Sequence, residues 1–298
     1  LIKKCIFDFI YTQSMPYIFI TGVSTGIGFD AMKTLIQHGY HVIGTVRKEI
    51  DAASIRQQFA EKCTILVFDI TDVQTCLSEM QKAFTLIKKD GLHTLINNAG
   101  IAVPGPLECL TDDEFELQMN VNVLAVRRIT NLLLPYLGTN RNYKPGIIIN
   151  ISSVSGLFNS PYNGAYCISK HALESMTDVY RRELSMFGIR VMAIEPGPIK
   201  TEIWSKSKGT LDRFKDTAYG ELLSSADKMI ESSEKSAFDV GVISSIIVDI
   251  ITGKTSKTRH LVHRKPFLFK LLAYYLPDKM VDKLVAKTIA KKDNYRPV

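Results

Sequence analysis

No apolar run in this 298-residue chain reaches the roughly 18–20 residues that a membrane span requires. The opening Leu1–Ile10 stretch has lysines ahead of an apolar patch, but Asp8 breaks it and no small-residue cleavage site follows, so it does not read as a signal peptide. The five cysteines (Cys5, Cys63, Cys76, Cys109, Cys167) are scattered and form no C-x-x-C pair. That pattern speaks against a zinc site or a disulfide frame and fits free thiols in a reducing, cytoplasmic compartment. The six histidines show no H-E-x-x-H or other paired ligand spacing, so no metal is expected. Internal repeats and low-complexity tracts are absent, and no Pro/Gly-rich linker precedes residue 195.

The chain is 46% hydrophobic and 22% charged, with a net charge of +7, a balance suited to a globular protein with a sizeable core. The charge is uneven. Residues 254–298 hold twelve Lys/Arg against three Asp, a balance of +9, and the other 253 residues hold twenty-five basic against twenty-seven acidic, a balance of −2. A near-neutral body speaks against a nucleic-acid-binding core and sets the basic tail apart. Met15 stands just before the first convincing strand. The expected organisation is an extension over 1–14, one catalytic domain over 15–253, and a basic helical extension over 254–298 that packs on or near the substrate region.

Short β-rich apolar runs alternate with longer amphipathic stretches. The runs are Tyr17–Thr21, His41–Thr45, Thr64–Asp69, Thr94–Asn97, Gly146–Ser152 and Arg190–Glu195; helical patterns lie near 27–38, 51–61, 72–88, 112–137 and 163–187. This alternation predicts an α/β fold, a doubly wound parallel sheet of the Rossmann type with helices on both faces. Such sheets bind ligands beyond the carboxyl ends of their strands. The unusual residues fall there: Gly22, Arg47, Asp69, Asn98, Ser153 and Pro196-Gly197 each close one run.

Thr21-Gly-Val-Ser-Thr-Gly-Ile-Gly28 joins the first strand to the first helix. Gly22 would permit the tight turn, Gly26 would let backbone approach a pyrophosphate, and Gly28 would let the helix pack on the strand. The free N–H groups of the helix terminus would face the phosphates. Tyr166-Cys-Ile-Ser-Lys170 sets a phenol and an ammonium one helical turn apart on the same face. A free tyrosine, with a pKa of about 10, exchanges protons poorly at neutral pH. A nearby ammonium is expected to lower it. Ser153 precedes Tyr166 by thirteen positions, at the end of the fifth run.

Taken together, these residues resemble the short-chain dehydrogenase/reductase family, whose fingerprint T-G-x-x-x-G-x-G matches residues 21–28. The resemblance is dense from Tyr17 to Thr201. It implies a nicotinamide-dependent oxidoreductase that moves a hydride between cofactor and a carbonyl/alcohol pair. Tyr166 would exchange the proton, Ser153 would bind the substrate oxygen, and Lys170 would hold the nicotinamide ribose. Asn122 would support a water-linked relay, with the adjacent Asn120 as the alternative. The implied cofactor contacts are Gly22, Ser24, Thr25, Gly26, Ile27, Gly28, Arg47, Asp69, Ile70, Asn98, Ala99, Gly100, Tyr166, Lys170, Pro196, Gly197, Ile199 and Thr201. Within this set Asn97-Asn98-Ala99-Gly100 resembles the family's N-N-A-G, and Pro196 to Thr201 resembles its P-G-x-x-x-T. Asp69 resembles the acidic residue beside the adenine, and it also reads as an ordinary turn-starting aspartate. Val46 fills the slot where NAD-preferring relatives carry aspartate, and Arg47 follows. NADP(H) is therefore expected over NAD(H), although Arg47-Lys48 also reads as a solvated pair.

Lys257-Thr-Arg-His-Leu-Val and Ser153-Val-Ser-Gly-Leu-Phe are similar to segments of hydroxysteroid and retinol dehydrogenase-like members, which implies a lipophilic, steroid- or retinoid-like substrate. His260 and His263 depart from that pattern. A 3-oxoacyl carrier-protein reductase and a non-catalytic NADP(H) sensor are the alternatives. Trp204, Leu211, Phe214, Tyr219, Leu222 and Met229 read equally as a substrate lid or as the core side of two helices. By family analogy the chain would pair with its own copies through the helices near 112–137 and 163–187. In the tail, Lys279, Lys283, Lys287 and Lys291 recur every fourth residue beside an apolar stripe of Val281, Leu284, Val285 and Ile289. That helix either packs its stripe on the core or brings residues 266–298 against an anionic membrane surface.

Overall fold

A computed structural model describes residues 15–201, 210–220 and 235–289, and the side chains up to 287. Its centre is a seven-stranded, wholly parallel sheet with the strand order β3-β2-β1-β4-β5-β6-β7. The strands are β1 (Tyr17–Ile20), β2 (His41–Val46), β3 (Cys63–Val67), β4 (Thr94–Asn97), β5 (Ile147–Ile151), β6 (Arg190–Pro196) and β7 (Arg259–Val262). Between them run α1 (Gly26–Gln37), α2 (Glu49–Phe59), α3 (Val73–Ile87), α4 (Asp112–Met119), α5 (Ala125–Leu133), α6 (Gly164–Glu183) and α7 (Gly241–Ile251). The six expected strands fall within two residues of their predicted limits.

The seventh does not announce itself. Arg-His-Leu-Val is too short and too polar for an apolar-run criterion, yet β7 pairs with β6 from Ala193↔Arg259 to Pro196↔Val262. The sheet thus continues into the stretch that the sequence marks as tail. Beyond it stand α8 (Pro266–Tyr274) and α9 (Asp278–Ile289).

Alternation along each strand divides the core in two, because successive side chains face opposite sides of a sheet. Ile18, Ile20, Ile147, Ile149 and Ile151 join Met32 and Leu35 of α1, Ile55 of α2 and Ile247 of α7. Phe19, Leu95, Ile148 and Val191 face Met80 of α3 and Ile129 and Leu133 of α5 on the other side. These strands are buried on both faces, which is why they read as continuous apolar runs.

One polar ladder crosses this apolar interior. Asn97 Nδ2 donates to Asn150 Oδ1 (2.8 Å) and Thr130 Oγ1 (3.1 Å), and Asn150 Nδ2 donates to Thr177 Oγ1 (2.8 Å). The ladder ties β4 and β5 to α5 and α6 at one level. Leaving one of these groups unpaired would cost about 1–3 kcal/mol. It therefore fixes the height of α6, the helix that carries Tyr166 and Lys170.

Candidate active site

The strand order reverses direction between β1 and β4, and in such sheets the crevice beyond that switch point is the ligand site. The turn after β1 is clasped to the end of β4. Thr21 Oγ1 accepts from the Asn98 and Ala99 N–H groups, both at 2.9 Å. Asn98 Nδ2 returns two bonds, to Thr21 O (2.9 Å) and Gly22 O (2.8 Å). From the other side Thr45 Oγ1 accepts from Gly22 N at 3.0 Å. Gly22 and Gly26 take φ values of +71° and +60°, in the left-handed region that side chains disfavour. At Gly28 the constraint is space: a Cβ there would lie 2.1 Å from Gly22 O and 2.4 Å from Asn98 Nδ2.

Helix α1 begins directly behind this turn. Thr25, its N-cap residue, is extended and its side chain caps nothing. Ser24 and Ile27 are half-buried and Thr25 is exposed, so the turn presents its backbone at the carboxyl edge. Gly26 and Thr201 face each other: a Cβ at Gly26 would meet Thr201 Cγ2 at 3.3 Å. A bridge between Ile199 and Phe238 holds that segment, with Lys200 N donating to Phe238 O at 2.9 Å. Gly197 N donates to Val262 O at 2.8 Å, so β7 anchors the same loop. These residues fit a dinucleotide: a glycine cradle that a Cβ would fill, and a helix terminus with unsatisfied donors.

On the far side of the switch point, α4 passes into α5 through a single π turn, Asn120–Leu124. Such turns are frequent at functional sites because they re-aim one side chain. The re-aimed residue is Asn122, buried, with Nδ2 donating to Ile101 O and to Ser169 Oγ (both 3.0 Å) and Oδ1 accepting from Ile101 N (2.9 Å). Asn120 is only half-buried. Gln118, which sequence reasoning passed over, makes the parallel connection: it bonds Val103 N (2.8 Å) and Ile101 O (2.9 Å). Its four-residue spacing from Asn122 was the available signal. Gly100 lies against both groups, with a Cβ there 3.3 Å from Asn122 Oδ1 and 3.8 Å from Lys170 Nζ.

Ser153, Tyr166 and Lys170 come together. Ser153 is buried, accepts from Ser155 N (3.1 Å) and reaches Pro196 O (3.5 Å). Its hydroxyl stands close enough to the Tyr166 phenol to lower that group's pKa. Lys170 is 5% exposed, with Nζ donating to Ile151 O at 2.9 Å and lying 5.6 Å from the Tyr166 ring centroid. Its ammonium is pushed down to about 8, by burial, against the attraction of Glu174.

The expectation for Tyr166 is corrected in direction. Burial raises the phenol above its usual pKa, and the nearby Ser153 hydroxyl opposes this. Desolvation disfavours the phenolate, and the Lys170 ammonium gives its own bond to the backbone carbonyl of Ile151. A raised phenol stays protonated at neutral pH, the form a proton donor needs.

The remaining expected contacts divide. Arg47 is exposed at the carboxyl end of β2 beside buried Val46, and among the described residues it joins no ion pair. Asp69 Oδ1 accepts from Thr71 N (2.8 Å) and Thr71 Oγ1 (2.6 Å), the geometry of an aspartate turn. Ile70 is buried in the core, with its carbonyl accepting from Arg128 (2.9 Å). In the expected lid, Phe214 is buried against Gly105, and the Tyr219 hydroxyl donates to Glu108 at 2.6 Å. Trp204, Leu222 and Met229, like residues 1–14 and Lys291, lie outside the described residues. Among the described residues no group of three or more His, Cys, Asp or Glu could hold a metal ion.

Comparison with known proteins shows the family. The model of the short chain dehydrogenase family matches residues 16–211. The chain is 38% identical over 278 residues to an NADPH-dependent 3-dehydrocapnine reductase of Ornithobacterium rhinotracheale, covering 93% of this chain and 98% of that one. It is 32% identical to human retinol dehydrogenase 16, covering 90% and 87% of the two chains. Among solved structures, a short-chain dehydrogenase from Streptomyces avermitilis superimposes with a TM-score of 0.75 at 22% identity, over 93% and 95% of the chains. An actinorhodin polyketide ketoreductase solved with NADPH gives 0.71 at 21% identity, over 85% and 98%.

Proposed function

Because the chain belongs to the short-chain dehydrogenase family, and so is an oxidoreductase acting on a carbonyl/alcohol pair, we propose that it works as an NADPH-dependent ketone reductase on a lipophilic substrate. The observation that carries this reading is the convergence of buried Ser153 and buried Lys170 on Tyr166, with Lys170 Nζ 5.6 Å from the centre of the phenol ring, across the switch point from the glycine turn. The nicotinamide, when bound, supplies the hydride. Tyr166 gives its proton to the carbonyl oxygen, and Ser153 hydrogen-bonds that oxygen as charge develops on it. Lys170 holds the ribose, while Asn122 and Gln118 fix the loop after β4 against α6. The glycine turn and the α1 terminus take the pyrophosphate; Ser24, Arg47 and Asp69 take the adenosine end. A lipophilic substrate suits the aromatic cluster of Phe158, His263 and Phe269, which His263 brings against Gly197.

The choice of NADPH rests on three supports. Val46 removes the carboxylate that would bind a ribose 2′-hydroxyl, Arg47 is exposed and joins no ion pair among the described residues, and the first relative is named NADPH-dependent. A cytoplasmic setting fits the free thiols Cys63, Cys76, Cys109 and Cys167. Pairing of copies through α4, α5 and α6 is supported by Leu117, Leu124, Ile168 and Val179, all exposed on those helices or on the π turn that joins them.

A second property is read from the tail. No helix of the described residues is long and apolar enough to cross a membrane. Helix α8 buries no residue, and Phe267 is 82% and Tyr275 76% exposed, with Leu268, Leu271, Tyr274, Met280 and Leu284 also uncovered. In α9 the packing face is Val281, Val285 and Ala286, while Lys279, Lys283 and Lys287 stay in solvent. The stripe thus packs in part, through Val281 and Val285, and Leu284 and the lysines stay exposed. We propose that the exposed apolar residues and the lysines together seat this end on an anionic lipid surface.

Three outcomes follow. Tyr166→Phe should lower turnover by about 10²–10⁴ with NADPH binding retained; near-normal turnover would contradict the assigned proton donor. Arg47→Ser should weaken NADPH far more than NADH, by on the order of 1.5–3 kcal/mol. An unchanged NADPH/NADH affinity ratio would place Arg47 in solvent. In co-sedimentation at low salt, the full chain should follow phosphatidylserine vesicles but not neutral ones, and Phe267→Asp should reduce the bound fraction. Equal recovery in the supernatant with both vesicles would retire the membrane contact.

A further inference from the structure

Helix α6 carries more charge than the proposed chemistry uses. Lys170, Glu174 and Asp178 follow at four-residue intervals, so they stack along one face. Arg259 of β7 reaches into this row. Its guanidinium lies 3.0 Å from Glu174, 2.9 Å from Asp178 and 3.2 Å from Glu195 at the end of β6. On the outer side Asp178 also pairs with Arg181 (3.1 Å) and Arg182 (3.5 Å), and from α8 Lys270 and Tyr274 act on the cluster at longer range. The inner members are buried: Glu174 is 7% and Glu195 1% exposed.

With Arg181 and Arg182 serving Asp178, the Arg259 guanidinium is left between two buried carboxylates, Glu174 and Glu195. Glu174 Oε1 and Glu195 Oε1 are buried and lack a hydrogen-bond partner, although the latter sits within ion-pair reach of Arg259. At Glu195 burial, with Glu174 adding to it, pushes the carboxyl up to about 7, so near neutral pH it is divided between the charged and neutral forms. Glu174 has another outlet. Its stem packs where Gly156 has no side chain, a Cβ there falling 2.9 Å from Glu174 Cγ and 3.0 Å from Lys170 O, and one turn back stands a buried ammonium. Lys170 has the complementary problem. Its ammonium donates to the neutral carbonyl of Ile151, and its neighbours Asn122 and Gly100 bear no charge. The Tyr166 phenol that faces it has a raised pKa and stays protonated at neutral pH, and Glu174 is the charged group that raises the lysine's pKa. A buried charge without a countercharge is expelled or neutralised.

We propose that Glu174, oriented by Arg259, is a positioning residue for Lys170: its carboxylate is the countercharge that keeps the buried ammonium protonated, so the β7 arginine sets the pH range over which the site holds its nucleotide. The proposal rests on the reading that Lys170 binds the nicotinamide ribose, and its test separates the two. The readout is the dissociation constant of NADPH, followed by fluorescence from about pH 6 to about pH 9, a span that brackets the lysine's depressed pKa. In the wild type, affinity falls as Lys170 loses its proton. In Glu174→Gln the fall begins about one pH unit lower, so binding is several-fold weaker near neutral pH and returns to the wild-type value at the acid end. Recovery on acidification is what a structural lesion would not give. Glu174→Asp, which withdraws the charge by one methylene, shifts the fall in the same direction by less, and it carries the test should the glutamine variant not fold. An unmoved midpoint in either folded variant overturns the role of Glu174, provided that Lys170→Met abolishes the pH dependence. If Lys170→Met keeps the wild-type pH dependence, or if the wild type shows none, the ribose-binding role of Lys170 fails instead.

Discussion

The structure depends on the contact between the turn after β1 and the end of β4. Adjacent parallel strands lie about 4.8 Å apart, and at this pair the carboxyl ends must also leave a crevice for a ligand. Here a helix starts within that distance without filling the crevice. It does so because Gly28 has no side chain where the Gly22 carbonyl and the Asn98 amide would collide with one, and because Asn98 satisfies two carbonyls that the turn would otherwise leave unpaired. The bonds are ordinary in strength. Their effect comes from position, since each joins residues more than seventy apart in sequence at the point where the sheet changes direction.

The catalytic side of the crevice is positioned by polar groups buried in an apolar interior. The Asn97–Asn150–Thr177 ladder sets the height of α6, Asn122 and Gln118 tie α6 and the π turn to the loop after β4, and Arg259 ties α6 to β6 and β7. Each network is costly to break because its members would be left dry and unpaired. Together they leave Tyr166 and Lys170 little freedom, which is what a proton donor and a ribose ligand require.

Much of this is legible in the sequence, for identifiable reasons. Strands buried on both faces write themselves as runs such as Ile147–Ile151, and a glycine that must admit a carbonyl cannot be anything else, so the sheet and the phosphate turn are both visible. The Tyr166/Lys170 pair is visible because helical spacing makes them neighbours. Contacts between distant segments are not: Thr45, Ser169 and Arg259 have no local pattern that separates them from surface polar residues. β7 was hidden for a similar reason, since two of its four residues are charged or titratable and its place depends on pairing with β6. The direction of the Tyr166 shift was missed because spacing reveals an ammonium one turn away but not how dry the phenol is.

The central claim is that the packing of the first turn against the fourth strand builds the nucleotide site. Gly28→Ala tests it most directly, read by NADPH titration and thermal unfolding on the same samples. The added methyl should displace Gly22 and Asn98, so the account predicts a loss of NADPH affinity of at least about tenfold together with a melting temperature lower by several degrees, as strain of about 1–3 kcal/mol requires. An alanine variant that binds NADPH and melts like the wild type would contradict it.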